Sequence, residues 1–287
     1  MTHFNIVKIE DVLFVAGDVN RLASIKIRCR DIAERLNARC FYGAHNPRQV
    51  PSGFKAYICV KPTFGPEGAE DLAKKGAVIW DILDDHPPAT RMTAYIASTY
   101  GAAKIFDHLG SVAVIHHHHC NIEGGGCCGD SSKVGYVGSS HWYPRLDKIK
   151  HLVYRIDGWE RAEVASAYRQ LGIAVNLRNL SGTFSNFLTS PHDVVPITDL
   201  HVKINSGMKL INCLGFGLPS ISANEPAYHE IAPECTIFSD LHTYDKALDL
   251  LCDPCVYNRM RARCLEIAPK YHLSEIVKKY RMLIEAL

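Results

Sequence analysis

The sequence predicts an α/β protein made of two doubly wound, Rossmann-like halves. Three observations carry that expectation. Short apolar runs alternate with amphipathic helical stretches from residue 12 onward, as in a parallel sheet covered by helices. The alternation breaks once, in the polar, glycine-rich stretch 116–133 (HHHHCNIEGGGCCGDSSK), and then resumes. Residues 193–230 read as a strand, a Lys-bearing loop, an amphipathic helix and a new strand, which sets a helix N-terminus at the carboxyl edge of a parallel sheet. At 287 residues, 47% of them apolar, the chain can bury two cores.

Residues 12–16 (VLFVA) form the first strand, closed by Gly17 and Asp18. Residues 24–37 place Cys29, Ile32, Ala33 and Leu36 on one helical face. Strands follow at 39–42 and 56–60, a helix at 66–75, and a strongly apolar strand at 77–83 (AVIWDIL). Strand 93–97, helix 102–109 and strand 111–115 complete the first half. The second half is expected to hold strands at 134–137, 152–155, 173–177 and 194–197, with helices at 146–151 and 160–171. Its central helix carries Met208, Leu210, Ile211 and Leu214, is stopped by Gly215 and Gly217, and leads to the strand starting at 218. A strand at 236–238 and helices near 243–251, 256–268 and 273–286 end the chain. The domains are therefore drawn as 1–120, a glycine-rich loop at 121–133 in which Gly124, Gly125 and Gly126 supply mobility, and 134–287. No tandem repeat of 20 to 50 residues is evident.

Composition excludes several classes. A formal charge of +2 does not demand a nucleic-acid partner, which leaves that role to local patches. Lys26, Arg28, Arg30, Arg35 and Arg39 form one such cluster. No apolar run approaches the ~20 residues that cross a bilayer, and residues 1–10 lack the apolar core of a signal peptide. A soluble, cytoplasmic protein is expected, and a homodimer is compatible with the sequence. Eleven cysteines, an odd number scattered through strands and helices, point to reduced thiols. His116 to His119, Cys120, Cys127 and Cys128 fit the spacing of no zinc module, so no metal is expected. Cys252 and Cys255 have Cys-x2-Cys spacing without a second pair, and the intervening Asp253-Pro254 suits a helix start.

The chemistry concentrates in 193–230. Unpaired N–H groups and the helix dipole favour an anion at a helix N-terminus, and Lys203 and Lys209 flank that point. The physical reading is a diphosphate site formed by both lysines and the backbone of Ser206, Gly207 and Met208.

The same stretch resembles the donor-binding segment of glycosyltransferases with the GT-B fold. Lys209-Leu210-Ile211-Asn212, Gly217-Leu218-Pro219-Ser220-Ile221 and Pro226-Ala227-Tyr228-His229-Glu230-Ile231 carry the likeness. It implies two Rossmann-like domains facing each other across a cleft, no tightly bound cofactor, and a UDP- or GDP-linked sugar as donor. It also implies donor contacts from Gly138 and Ser139, and from Asn212 or Glu230 to the ribose or sugar, with a helix-capping or buried hydrogen-bond role as the alternative for Asn212. Many retaining relatives carry Glu-x7-Glu here. Asn212 stands at the second position and the first falls near Ile204, so that acidic pair is absent. In the first half the resemblance places acceptor contacts at Gly17, Asp18 and Arg28. Trp80 to His86 (WDILDDH) resembles a strand of the same enzymes and makes Asp84, Asp85 or His86 the candidate base. His117 and His118, in the run entering the cleft, are expected to touch sugar or phosphate. The acceptor is then a glycan hydroxyl, or a hydroxymethylated base in DNA bound by the basic cluster. Two other readings stay open: a sugar-nucleotide 2-epimerase and a non-catalytic nucleotide-sugar-binding protein.

Overall fold

The structure, a computed structural model, describes residues 7–18, 23–83, 91–138, 152–155, 159–177, 183–185, 194–196 and 203–287. They form two compact units: Met1–His117 with Leu273–Leu287, and His118–His272.

The first unit is built on six parallel strands, β1 (Val12–Ala16), β2 (Arg39–Tyr42), β3 (Ala56–Val60), β4 (Ala77–Ile82), β5 (Ala94–Ala97) and β6 (Val112–Val114), in the order β2-β1-β3-β4-β5-β6. β1, β3 and β5 are buried along their whole length, which is why they read as unbroken apolar runs rather than alternating ones. The strand order reverses between β1 and β3, where Val12 pairs with Ala56 and Ala16 with Val60. Ligands of doubly wound sheets bind outside the carboxyl ends of strands at such a point.

The helix after β1 is not uniform. It runs as α1 (Ala23–Ile25), a π-helical turn (Lys26–Arg30) and α2 (Asp31–Leu36), and Asn37 closes it at φ 56°. The expected single apolar face is exceeded: Lys26, Arg28 and Asp31 are buried with Ile27, Cys29, Ile32 and Ala33. A π turn inserts a residue and rotates the helix face, and here it accompanies an inward-pointing Arg28. The basic cluster is thereby dismantled as a surface stripe. Lys26 and Arg28 are 3% and 1% exposed, while Arg35 and Arg39 remain outside. α3 (Ala69–Ala73), shorter than expected and preceded by a 3-10 turn, and α4 (Tyr100–Phe106), capped by the Thr99 hydroxyl, add to the cover. The C-terminal helix Leu273–Glu285 also groups with this unit, whereas the sequence had it in the second half. The cause is a buried contact: the Tyr280 hydroxyl donates to Asp81 Oδ2 at 3.3 Å, and its ring lies 6.1 Å from that of Phe14.

The second unit has five parallel strands, β7 (Val134–Gly138), β8 (Leu152–Arg155), β9 (Ile173–Asn176), β12 (Ser220–Ser222) and β13 (Thr236–Phe238), in the order β13-β12-β9-β7-β8. β10 (Thr183–Ser185) and β11 (Val194–Pro196) form a separate antiparallel pair. This corrects the strand-loop-helix-strand unit. Its first strand, β11, lies outside the parallel sheet, and β9 is the strand that pairs with β12. The helices are α5 (Arg161–Arg169), α6 (Met208–Gly215), α7 (Pro226–Ile231), α8 (Tyr244–Cys252) and α9 (Pro254–Ile267). Asp253 caps α9 by accepting from the Cys255 and Val256 N–H groups at 2.8 and 3.1 Å, as the Asp-Pro step suggests. The helix expected at 146–151 lies outside the described residues.

The glycine-rich stretch groups with this unit and is tied to it by hydrogen bonds. Asn121 Nδ2 donates to the carbonyls of Gly215 and Gly125 at 2.6 and 2.7 Å, the first of these closing the end of α6. The Cys127 N–H donates to the Phe216 carbonyl at 2.8 Å. Arg169 Nη2 reaches the Gly124 carbonyl at 3.1 Å. All eleven cysteines are free thiols, and among the described residues no three His, Cys, Asp or Glu side chains gather as a metal site. Among the described residues no helix is long and apolar enough to cross a membrane.

Candidate functional site

In the second sheet the strand order reverses between β7 and β9, beside Gly138, the last residue of β7, and doubly wound sheets bind ligands at such a point. α6 begins nearby after Gly207, which takes φ 62° as N-cap and leaves the helix start without a side-chain cap. Its first-turn N–H groups have no intrahelical acceptor, and the dipole makes that end positive. Lys209, half-buried in this first turn, places Nζ 3.9 Å from the centroid of the Tyr136 ring. A Cβ on Gly138 would stand 3.0 Å from that Nζ and 2.6 Å from the Tyr136 hydroxyl. The glycine therefore keeps the strand end open for an ammonium group. Gly138, Gly207 and Lys209 are thus brought together.

Two features disfavour any side chain at Gly207. Its φ is left-handed, and an added Cβ would strike Ile231 Cδ1 and sit 3.3 Å from Ala227 Cβ. Gly207→Ala is expected to lower stability by at least the ~1–2 kcal/mol of the backbone conformation alone, readable by urea denaturation.

Other donor-side candidates separate. Ser206 is buried at 9% exposure beside Gly207. Lys203 is exposed, and Glu230 is half-buried on α7. Ser139 lies outside the described residues. Asn212 is 2% exposed, and its Oδ1 accepts the Cys120 N–H at 2.9 Å. It staples the glycine-rich stretch to α6, which is the buried hydrogen-bond role open to it beside a ribose contact. The sequence reading missed Glu225, a carboxylate only 1% exposed at the end of the β12 loop, which accepts a hydrogen bond from Asn205 Nδ2. A Glu directly before a helix-starting Pro was the available signal.

In the first unit the reversal point lies at Gly17 and Lys61. The Gly17 N–H donates to the Lys61 carbonyl at 3.0 Å, and a Cβ on Gly17 would come within 2.7 Å of that oxygen. Gly17 is buried, so close strand packing explains it, while Asp18 is exposed just beyond. Lys61, absent from the sequence reading, holds φ 45°, an uncommon conformation for a side-chain-bearing residue. Arg28 does not line this edge. Its Nε and Nη2 donate to Asp81 Oδ2 and Oδ1 at 2.5 and 2.9 Å, and its Nη1 to the Ile115 carbonyl at 2.7 Å. The expected acceptor contact is replaced by a buried clamp. Asp84, Asp85 and His86 lie outside the described residues.

His117 and His118 are each 1% exposed, because the run packs inward, and this corrects their expected contact with sugar or phosphate. His118 Nδ1 lies 2.9 Å from the His119 carbonyl oxygen. His119 is 3% exposed, and its Nδ1 has no hydrogen-bond partner. Burial, then the neighbouring His272 and His118, push its pKa down from 6.5 to about 4. Such a depressed folded-state pKa contributes stability that is present above the unfolded value and is lost as pH falls toward the folded one. The native state is therefore expected to lose about 3 kcal/mol between pH 6.5 and pH 4 through this group. Denaturation midpoints against pH check this, and His119→Gln should flatten the slope.

No protein-family model and no curated protein matches the sequence. Solved structures do match in fold. The chain superposes on HepE of Anabaena, solved with UDP and glucose, at TM-score 0.62 and 10% identity, covering 96% of this chain and 100% of that one. AviGT4, a glycosyltransferase involved in avilamycin A biosynthesis, gives TM-score 0.57 at 12% identity over 95% and 96%. An α-glucosyltransferase solved with UDP and a 13-mer DNA containing an HMU base gives 0.57 at 9% over 96% and 99%. The fold is therefore the GT-B fold of sugar-nucleotide glycosyltransferases, as the resemblance in 193–230 implied.

Proposed function

We propose that this chain transfers a glycosyl group from a nucleoside-diphosphate sugar to an acceptor hydroxyl. The carrying observation is the Lys209 ammonium over the end of β7, beside the uncapped start of α6. As the anomeric C–O bond breaks, the departing diphosphate gathers negative charge. Donors fixed in advance lower the barrier because they need no reorganisation. Lys209 and the N–H groups of the α6 first turn supply them, with the Ser206 hydroxyl and the Gly138 backbone at the flank and Lys203 adding charge from outside. Glu230 contacts the sugar or ribose. The acceptor hydroxyl approaches the Asp18 edge of the first unit, with Asp84, Asp85 or His86 taking its proton. UDP is the nucleotide to try first, because two structures of the same fold hold it.

A glycan-type hydroxyl suits the first unit better than DNA, because Lys26 and Arg28 are buried rather than offered to phosphates. Activity is then expected to change little between 50 and 200 mM salt, whereas a duplex acceptor would lose affinity steeply over that range. The deciding assay measures nucleotide release from UDP- and GDP-sugars with and without acceptors. Acceptor-dependent release supports transfer. Conversion of the nucleotide sugar without acceptor would make the protein an epimerase, and binding without turnover a sugar-nucleotide-binding protein.

A further inference from the structure

Glu225 is a carboxylate without a part in the chemistry above, yet it is 1% exposed. Burying an ionisable side chain is costly unless it is engaged. Glu225 occupies the N-cap position of α7, but its side chain does not cap that helix. Its Oε2 instead accepts from the Nδ2 of Asn205, itself 5% exposed and two residues before Gly207. The same helix meets the turn a second time, because Ala227 and Ile231 press on the face of Gly207 where a Cβ would stand. The 205–207 turn is thus held at one end by a charge-assisted hydrogen bond and at the other by packing, both from the segment that opens with Glu225.

We propose that Glu225 is a positioning residue for the donor site. Its hydrogen bond to Asn205 fixes the turn that launches α6, and so aims the first-turn N–H groups and Lys209 at the diphosphate. Glu225 acts through Asn205 and need not touch the nucleotide. This inference rests on the donor reading above.

The test compares UDP and GDP binding by calorimetry for the wild type, Asn205→Asp, Glu225→Gln and the double variant Asn205→Asp/Glu225→Gln. Asn205→Asp sets two carboxylates against each other. It is expected to weaken nucleotide binding about tenfold or more, the scale of a lost charge-assisted hydrogen bond. Glu225→Gln, which keeps a neutral acceptor, is the milder variant and should weaken binding a few-fold. In the double variant the amide at 225 donates to the carboxylate at 205, restoring the bond with its polarity reversed and the total charge unchanged. Binding should return to within about threefold of wild type, since the coupled pair is then intact again. Wild-type affinity in Asn205→Asp, or a double variant as weak as that single one, overturns the positioning role. The second outcome would mean that charge at 205 simply repels phosphate. A wild type that binds neither nucleotide removes the donor reading itself and this inference with it. Urea denaturation of the same four proteins separates loss of fold from loss of binding.

Discussion

Lys209→Ala is expected to reduce glycosyl transfer by roughly 10²–10³-fold, the cost of removing one preorganised charge-stabilising donor from an active site. The fold should survive. Lys209 is half-buried in an α6 turn whose other face is held by Leu210, Ile211 and Leu214, all 0% exposed. Losing the contact with the Tyr136 ring should cost no more than about 1 kcal/mol of stability. kcat should fall with kcat/KM, because the ammonium is asked to meet charge that develops as the bond breaks. Lys209→Arg keeps the charge but not its compact shape, and should retain part of the rate. Turnover of Lys209→Ala equal to wild type, measured as nucleotide release under saturating donor, would remove the diphosphate assignment.

Where the chain states a local rule, sequence reasoning reaches the structure. Unbroken apolar runs such as VLFVA and AYICV become strands buried on both faces, because a helix-covered parallel sheet has no solvent side. That Gly138, Gly207 and Lys209 come together is legible for a similar reason, since glycines and a lysine around a helix start mark a sheet edge in the sequence itself. The failures share a cause. Arg28, His117 and His118 are polar residues in plausible places, and each is buried inside the protein instead. Asn212 holds Cys120, a residue 92 positions away in the chain, and Arg28 holds Asp81 across 53 positions. Pairings that distant leave no periodic trace. β11 misled differently: three residues suffice to form a strand, but not to say which sheet receives it. The π-helical turn was illegible because the buried guanidinium it accompanies is engaged only in tertiary structure.

That guanidinium carries the second large effect. Removing one member of the Arg28–Asp81 pair, by Arg28→Met or Asp81→Leu, is expected to destabilise the first unit by about 3–5 kcal/mol. Both side chains are 0–1% exposed, so the survivor would be a buried charge with nothing to balance it. A domain's entire stability is about 5–15 kcal/mol, so either single variant should be near the limit of folding. The double variant Arg28→Met/Asp81→Leu should recover most of the loss, since an apolar replacement of a buried ion pair is often neutral or better. Tyr280→Phe removes a single hydroxyl from the same cluster and should cost about 1 kcal/mol. The readout that singles out this arrangement is hydrogen exchange along Leu273–Glu285. Asp81 accepts from Tyr280 as well as from Arg28, so loss of the carboxylate should loosen the C-terminal helix as well as β4. If Asp81→Leu leaves exchange in that helix unchanged, the apolar packing of Ile276, Val277 and Ile284 holds it without the polar cluster. The π-helical turn would then serve Arg28 and the Ile115 carbonyl alone.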